Sequence, residues 1–250
     1  MKNLLITREE TRLPKLDVIR SIAITLMIVD HSLLILLPTS PVTLIVRTTL
    51  TRCAEPLFIF VLATLAIALK RSTRFGRWFQ IVLLSVGTSI ILSCHLGYAM
   101  MDVLVSIALV SPFTLLLIRL PTVFLYVSAG LAMVPISFQG IAMDYSPALL
   151  IHQVLLTKVA HQKGGHVLGP LGISCLVALL TAGALSHWGV GLSPTLLVIL
   201  IGHPLAILVI GLVHVSKRTP DMIVVRLGQQ PLTIYAAHLA LLTVAHAALA

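Results

Sequence analysis

Asp17-Val-Ile-Arg-Ser-Ile-Ala-Ile-Thr-Leu-Met-Ile-Val-Asp-His-Ser-Leu-Leu-Ile-Leu-Leu37 is an apolar run broken by few ionisable side chains, Asp17, Arg20, Asp30 and His31. A bilayer hydrocarbon core of about 30 Å is crossed by about 20 helical residues, which is the length of this stretch. It is too long for a signal-peptide core and lacks a small-residue cleavage site, so it is expected to persist as a first membrane span.

The rest of the 250-residue chain repeats the pattern. Hydrophobic residues make up 58% and charged residues 10%, with a mean hydropathy of +1.07. A water-soluble domain needs a polar exterior that this composition does not supply. Further apolar runs bounded by charge, Pro or Gly extend over Pro56 to Leu69, Trp78 to Cys94, Asp102 to Ile118 and Val123 to Phe138. Others cover Pro147 to Val159, Val167 to Leu185, Thr195 to Val215 and Pro231 to Leu249. The expected fold is therefore all-α, a polytopic membrane bundle of about nine spans. A cytoplasmic segment, 1–16, precedes one transmembrane domain, 17–250.

Lys and Arg accumulate on cytoplasmic loops, and here they alternate along the chain. Lys2 to Lys15, then Lys70 to Arg77, Arg119, Lys158 with Lys163, and Lys217 to Arg226 fall on one side; Arg47 and Arg52 are the exception. The alternation predicts a cytoplasmic N-terminus. A formal charge of +9 with only 5% aromatics, scattered over short loops, suits anionic lipid headgroups and excludes a nucleic-acid face. Cys53, Cys94 and Cys175 show no paired or metal-ligand spacing and read as buried apolar side chains, so no metal is expected.

Ionisable residues at membrane depth are costly and mark candidate sites. At 100° per residue, Asp17, Arg20, Ile24, Met27 and His31 share one stripe of the first helix, with Arg20 and His31 about 16 Å apart along its axis. A rim guanidinium and a deeper imidazole on one face suit an extended anionic donor. Taken singly, Arg20 also fits an interfacial anchor paired with Asp17, and His31 a neutral histidine bonded to a neighbouring helix. Asp30 points about 100° away from His31. Glu55 and Asp102 fit helix-start carboxylates, His152 and Gln153 either a polar cavity or an interfacial half-helix. His161, Lys163 and His166 read as a solvated loop cluster, and His203 before Pro204 as a kink with a satisfied imidazole.

Arg12-Leu-Pro-Lys-Leu-Asp-Val-Ile-Arg-Ser-Ile-Ala23, continuing to Met27-Ile-Val-Asp-His31, resembles the opening of the transmembrane acyltransferase superfamily. The similarity is to bacterial relatives of heparan-α-glucosaminide N-acetyltransferase, with the acyltransferase-3 family a close second. Cys53-Ala-Glu-Pro-Leu-Phe-Ile-Phe60 and Leu227-Gly-Gln-Gln-Pro-Leu-Thr-Ile-Tyr-Ala-Ala-His238 resemble that branch's second-span and C-terminal motifs. The likeness covers the first seventy residues and the last twenty-five. Ser21 stands where the family has glycine, and Ala63-Thr64 where its second-span motif ends in glycine.

The resemblance implies transfer of an acetyl or other acyl group from acyl-CoA to a hydroxyl or amine of a sugar or glycan, in the bacterial cytoplasmic (inner) membrane. It implies His31 as catalytic base or acyl carrier, Arg20 and Asp17 for the donor, and Asp30, Glu55, Asp102, Tyr235 and His238 as possible cavity residues. Acetyl-CoA is the expected co-substrate. The expected partners are the glycan acceptor and membrane lipid, with a homo-oligomer allowed. A multi-pass transporter or permease also accommodates intramembrane charges, and loss of the glycine at Ser21 also fits a non-catalytic membrane subunit.

Overall fold

The structure, a computed structural model, describes residues 14–37, 40–49, 51–70, 75–97, 100–101, 103–134, 137–138, 141–143, 147–162, 168–187, 195–216 and 221–249. Most of the N-terminal segment, Asp102, Lys163 and His166 lie outside them.

Among the described residues the chain is almost entirely helical. Helix α1 (Pro14–Leu36) begins with Pro at its first position, where the missing N–H is no loss, and carries Asp17 in its first turn. A short helix, α2 (Pro41–Thr48), starts on a reciprocal cap: Ser40 Oγ accepts from the Thr43 amide at 3.2 Å and Thr43 Oγ1 from the Ser40 amide at 2.8 Å. A 3₁₀ turn, Thr51–Cys53, leads into α3 (Ala54–Leu69), which ends at Lys70 with φ +50°. Next come α4 (Phe75–Leu96), β1 (Met100–Met101) and α5 (Val103–Val110).

Pro112 breaks the fourth apolar run into α5, a 3₁₀ turn over Ser111–Phe113, and α6 (Thr114–Leu117). The fifth run is helical only over α7 (Val123–Leu131), which at 1.5 Å per residue rises about 14 Å, half a hydrocarbon core. It continues into β2 (Ser137–Phe138) and β3 (Ile141–Met143). β3 pairs antiparallel with β2 and parallel with β1, so the α4–α5 and α7–α8 connections meet in one small sheet, the exception to an all-helical architecture.

The remaining helices are α8 (Pro147–Gln162), α9 (Leu168–His187), α10 (Thr195–Leu197), α11 (His203–Val215), α12 (Met222–Gln229) and α13 (Pro231–Leu249). A π-helical turn, Val198–Gly202, joins α10 to α11 just ahead of Pro204. Asp221 caps α12, accepting from the Ile223 amide at 2.8 Å.

Among the described residues, four helical segments are long and apolar enough to cross a membrane, Pro14–Leu36, Phe75–Cys94, Leu168–His187 and Val198–Val215; Ala54–Leu69, Leu104–Leu117 and Pro231–Ala245 are apolar but shorter. The polarity of these helices is reversed from that of a soluble protein. On α4, Leu83, Val86 and Ile90 point outward while Ser85 and Thr88 are buried; α9 exposes Leu176, Leu179 and Leu180 but buries Ser174. Such an apolar exterior belongs in lipid. The buried hydroxyls bond backbone carbonyls of their own helices, as Ser174 does to Pro170 at 2.9 Å.

Two close approaches fix α1 and α11 in place. A Cβ on Gly228 of α12 would sit 1.8 Å from the Asp17 carbonyl oxygen, and one on Gly202 would sit 2.5 Å from that of Arg52. Only glycine lets the backbones meet so closely.

Candidate functional site

The N-terminal and C-terminal motifs, more than two hundred residues apart in sequence, pack against each other. Helix α12 lies along the start of α1, where Gly228 covers Asp17 and Ser21 Oγ donates to the Val224 carbonyl. Lys15 Nζ donates to the His214 carbonyl at 2.7 Å, tying α1 to the end of α11. Further along α1, helix α13 presents Tyr235 and His238, three residues apart, to His31.

His31, Tyr235 and His238 are all buried, with 8%, 3% and 8% of their surface exposed, which shields their polar atoms from competing water. His31 Nδ1 lies 3.0 Å from His238 Nε2, with the rings stacked at 5.3 Å between centroids. The Tyr235 ring meets both in T-shaped contacts, its centroid 5.6 Å from that of His31 and 5.1 Å from that of His238.

The hydrogen-bond network assigns the protons. His238 Nδ1 faces the Ile234 carbonyl at 3.4 Å, an acceptor, so it carries the hydrogen and Nε2 holds a lone pair. His31 Nδ1 then donates to that lone pair, which leaves His31 Nε2 as the unprotonated nitrogen. A base or nucleophile needs this tautomer.

At the rim, Arg20 donates to Asp17 Oδ1 at 2.8 Å; the arginine side chain is 25% exposed and the carboxylate 8%. Eleven residues separate Arg20 from His31, about 16 Å of helix rise, so the two pairs occupy different depths of α1. Asp30 turns away from His31 and accepts from Arg47 Nε of α2 at 3.2 Å. Asp102 lies outside the described residues.

Glu55 belongs to another cluster. It sits in the first turn of α3, 3% exposed, and accepts from Gln153 Nε2 of α8 at 2.6 Å. Beside it, His152 Nδ1 donates to the Leu125 carbonyl at 3.0 Å, and its ring meets that of His203 edge-on at 5.2 Å. His152 and His203 are 0% and 3% exposed. His152 Nε2 and Gln153 Oε1 have no hydrogen-bond partner among the described residues, while the His203 ring reaches at best a loose bond to the Ile199 carbonyl. Unmet buried polar groups cost about 1–3 kcal/mol each, so their clustering calls for an explanation.

A cavity of about 440 Å³ lies against this cluster, between α3, α8 and α11. Phe60, Leu156, Ile207 and Ile210 form its walls, Gln153 and His203 its buried floor, and the exposed His161 and His214 its mouth. His161 Nε2 is 3.3 Å from Thr64 Oγ1. No group of three or more His, Cys, Asp or Glu side chains among the described residues is placed to hold a metal ion.

The sequence motifs pointed to His31, Tyr235 and His238, but not to the imidazole pair. The spacing Tyr-x-x-His puts the two side chains on neighbouring faces of α13, whereas the partner helix is set by the tertiary fold. His152, Gln153 and His203 stood out singly, and nothing local joins α8 to α11. Compared with protein-family models, curated proteins and solved structures, the chain matches none.

Proposed function

We propose that the chain is a multi-pass membrane acyltransferase, transferring an acetyl group from acetyl-CoA to a hydroxyl or amine of a sugar or glycan. The observation that carries this reading is the buried His31–His238 pair at 3.0 Å, with the lone pair left on His31 Nε2.

In direct transfer, His31 Nε2 takes the acceptor proton while the acceptor oxygen or nitrogen attacks the thioester carbon. The C–S bond breaks, and the coenzyme A thiolate receives the proton from the imidazolium. His238 accepts the His31 Nδ1 hydrogen throughout, holding the tautomer and spreading the charge that develops. In the covalent variant, Nε2 attacks the thioester carbon itself and the C–S bond breaks to release the coenzyme A thiolate; the acceptor oxygen or nitrogen then takes the acetyl group from the acetyl-imidazolium, its proton passing to the thiolate and the electron pair of the broken C–N bond returning to Nε2. Arg20, held by Asp17, offers its remaining N–H groups to donor phosphate.

The bundle is read as nine spans with the N-terminus in the cytoplasm of a bacterium, and several contacts support this. Lys15 meets the α11 end at His214, Thr64 meets His161, and Lys158 donates to the Leu120 carbonyl at 2.5 Å. Each contact joins segments that the basic-residue alternation assigns to one side. The three-stranded sheet joins two connections assigned to the other.

The test offers membrane fractions labelled acetyl-CoA with candidate glycans. Wild type labels an acceptor and His31→Ala does not; an unlabelled acceptor with wild type, or equal labelling by His31→Ala, refutes the proposal. A transporter is the second reading, favoured by the cavity of about 440 Å³ between α3, α8 and α11. Substrate uptake into proteoliposomes without any acyl donor would support it instead.

A further inference from the structure

The cavity between α3, α8 and α11 is separate from the histidine pair: none of its lining residues is Asp17, Arg20, His31, Tyr235 or His238. It runs along the helices. At its inner end Glu55 meets Gln153 and His152 meets His203, and toward the other end Thr64 meets His161, so α3 and α8 run the same way beside it. On α11 the lining extends from His203 to His214, eleven positions and about 16 Å of rise. That is the depth of one leaflet, half of a hydrocarbon core of about 30 Å.

The inner end offers an occupant no polar atom. Gln153 Nε2 is turned to Glu55, and Gln153 Oε1 and both His203 ring nitrogens are sealed off, so these residues present carbon to the cavity. Phe60, Leu156, Ile207 and Ile210 continue the apolar lining. At about 30 Å³ per non-hydrogen group, the volume of about 440 Å³ takes about fifteen chain carbons. Gly211 lines the cavity and is itself exposed, beside the outward Leu208 and Leu212, so the slot opens sideways onto the face turned to lipid.

The mouth has the opposite character. His161 and His214 are exposed there, and the Lys15 ammonium lies 2.7 Å from the His214 carbonyl. One N–H of Lys15 serves that carbonyl, and an ammonium has two more to give. No Asp or Glu is among the lining residues. An apolar slot one leaflet deep, beneath a cationic rim and open to the bilayer along one side, has the shape and charge of a phospholipid chain with its phosphate.

We infer that this cavity holds one acyl chain of an anionic phospholipid, which slides in past Gly211 and sets its phosphate on Lys15, His161 and His214. The site rests on the membrane-embedded bundle and stands independently of acyl transfer. A two-chain lipid suits the sideways opening, because its second chain stays in the bilayer while the first fills the slot.

The test uses the full chain in vesicles with a trace of phosphatidylglycerol carrying a diazirine on one acyl chain, the labelled residues being mapped by mass spectrometry. Leu156, buried on the cavity wall, should be labelled; Leu180, exposed on α9, reports the surrounding lipid. In vesicles of unlabelled phosphatidylglycerol the labelling of Leu156 should fall about five-fold below that in phosphatidylcholine, while Leu180 stays the same. Lys15→Gln, which keeps a donor for the His214 carbonyl, should remove that difference. Gly211→Trp should abolish labelling of Leu156 and leave Leu180 labelled; a Cβ at 211 meets nothing within 4 Å, so the backbone need not move. An unlabelled Leu156 in wild type, equal labelling in the two vesicles, a difference that survives Lys15→Gln, or a Leu156 label that survives Gly211→Trp would each overturn the inference. Displacement of the probe by oleate or palmitoyl-CoA at a tenth of the phosphatidylglycerol level would also overturn it, giving the slot to a single-chain anion.

Discussion

His31 Nδ1 and His238 Nε2 lie 3.0 Å apart across 207 positions of sequence, joining the first long helix to the last. Around that bond the two ends of the chain are locked together: Gly228 rests on the Asp17 backbone, and Ser21 bonds the Val224 carbonyl. The contacts that orient His31 are thus the same ones that close the bundle.

Gly228→Ala should destabilise the protein where Gly211→Ala does not. The added Cβ at 228 falls 1.8 Å from the Asp17 carbonyl oxygen, backbone that cannot rotate aside, whereas at 211 it meets nothing. Overpacking of this kind costs about 1–3 kcal/mol, while removing glycine from a helix gains up to about 1 kcal/mol. Thermal unfolding of the two variants in detergent should move in opposite directions; equal midpoints would contradict the close packing of α12 on α1.

Replacing Ser21 should weaken the fold in the order Ser, Ala, Gly. Alanine loses the hydrogen bond to Val224, a change of about 0.5–1.5 kcal/mol, and glycine adds a helix-propensity cost of about 1 kcal/mol. Denaturation midpoints following that order would show that the serine acts as a helix-to-helix tie. A glycine variant as stable as wild type would show that it does not.

The Asp30–Arg47 pair should matter little. Its side chains are 23% and 25% exposed, and pairs this open to solvent contribute at most about 1 kcal/mol. A double-mutant cycle of Asp30→Asn with Arg47→Gln should give a coupling energy below that figure and leave the proposed acetyl transfer unchanged. A tenfold loss of transfer would place Asp30 in the reaction.

The proposed topology makes a labelling prediction. His187, exposed at the end of α9, belongs to the outer side and Ser216, exposed after α11, to the cytoplasmic side. In intact cells expressing a chain freed of native cysteines, a membrane-impermeant maleimide should modify His187→Cys and spare Ser216→Cys until the cells are opened. The reverse pattern would invert the orientation, and labelling of both would break the span count.

Much of this architecture was legible because bilayer depth imposes a length and lipid imposes an apolar surface. The run from Asp17 to Leu37 therefore announced α1 to within a few residues. The fifth run was less legible: Val123 to Phe138 is apolar throughout, but hydropathy does not report where a helix stops, and helix gives way to β2 after Leu131 and a turn. For the site, the stripe from Asp17 to His31 placed the side chains on α1 but left their neighbours open. Asp30 found Arg47, Glu55 found Gln153 and His31 found His238, each through a helix whose position depends on the whole bundle.

The most direct test of the histidine pair is a double-mutant cycle on single-turnover acetyl transfer in vesicles, comparing wild type, His31→Ala, His238→Ala and the double variant. If the imidazoles act as one unit, His31→Ala loses about 10²–10⁴-fold, His238→Ala less, and the double variant no more than His31→Ala alone. Losses that multiply, or a His31→Ala variant as fast as wild type, would contradict the account.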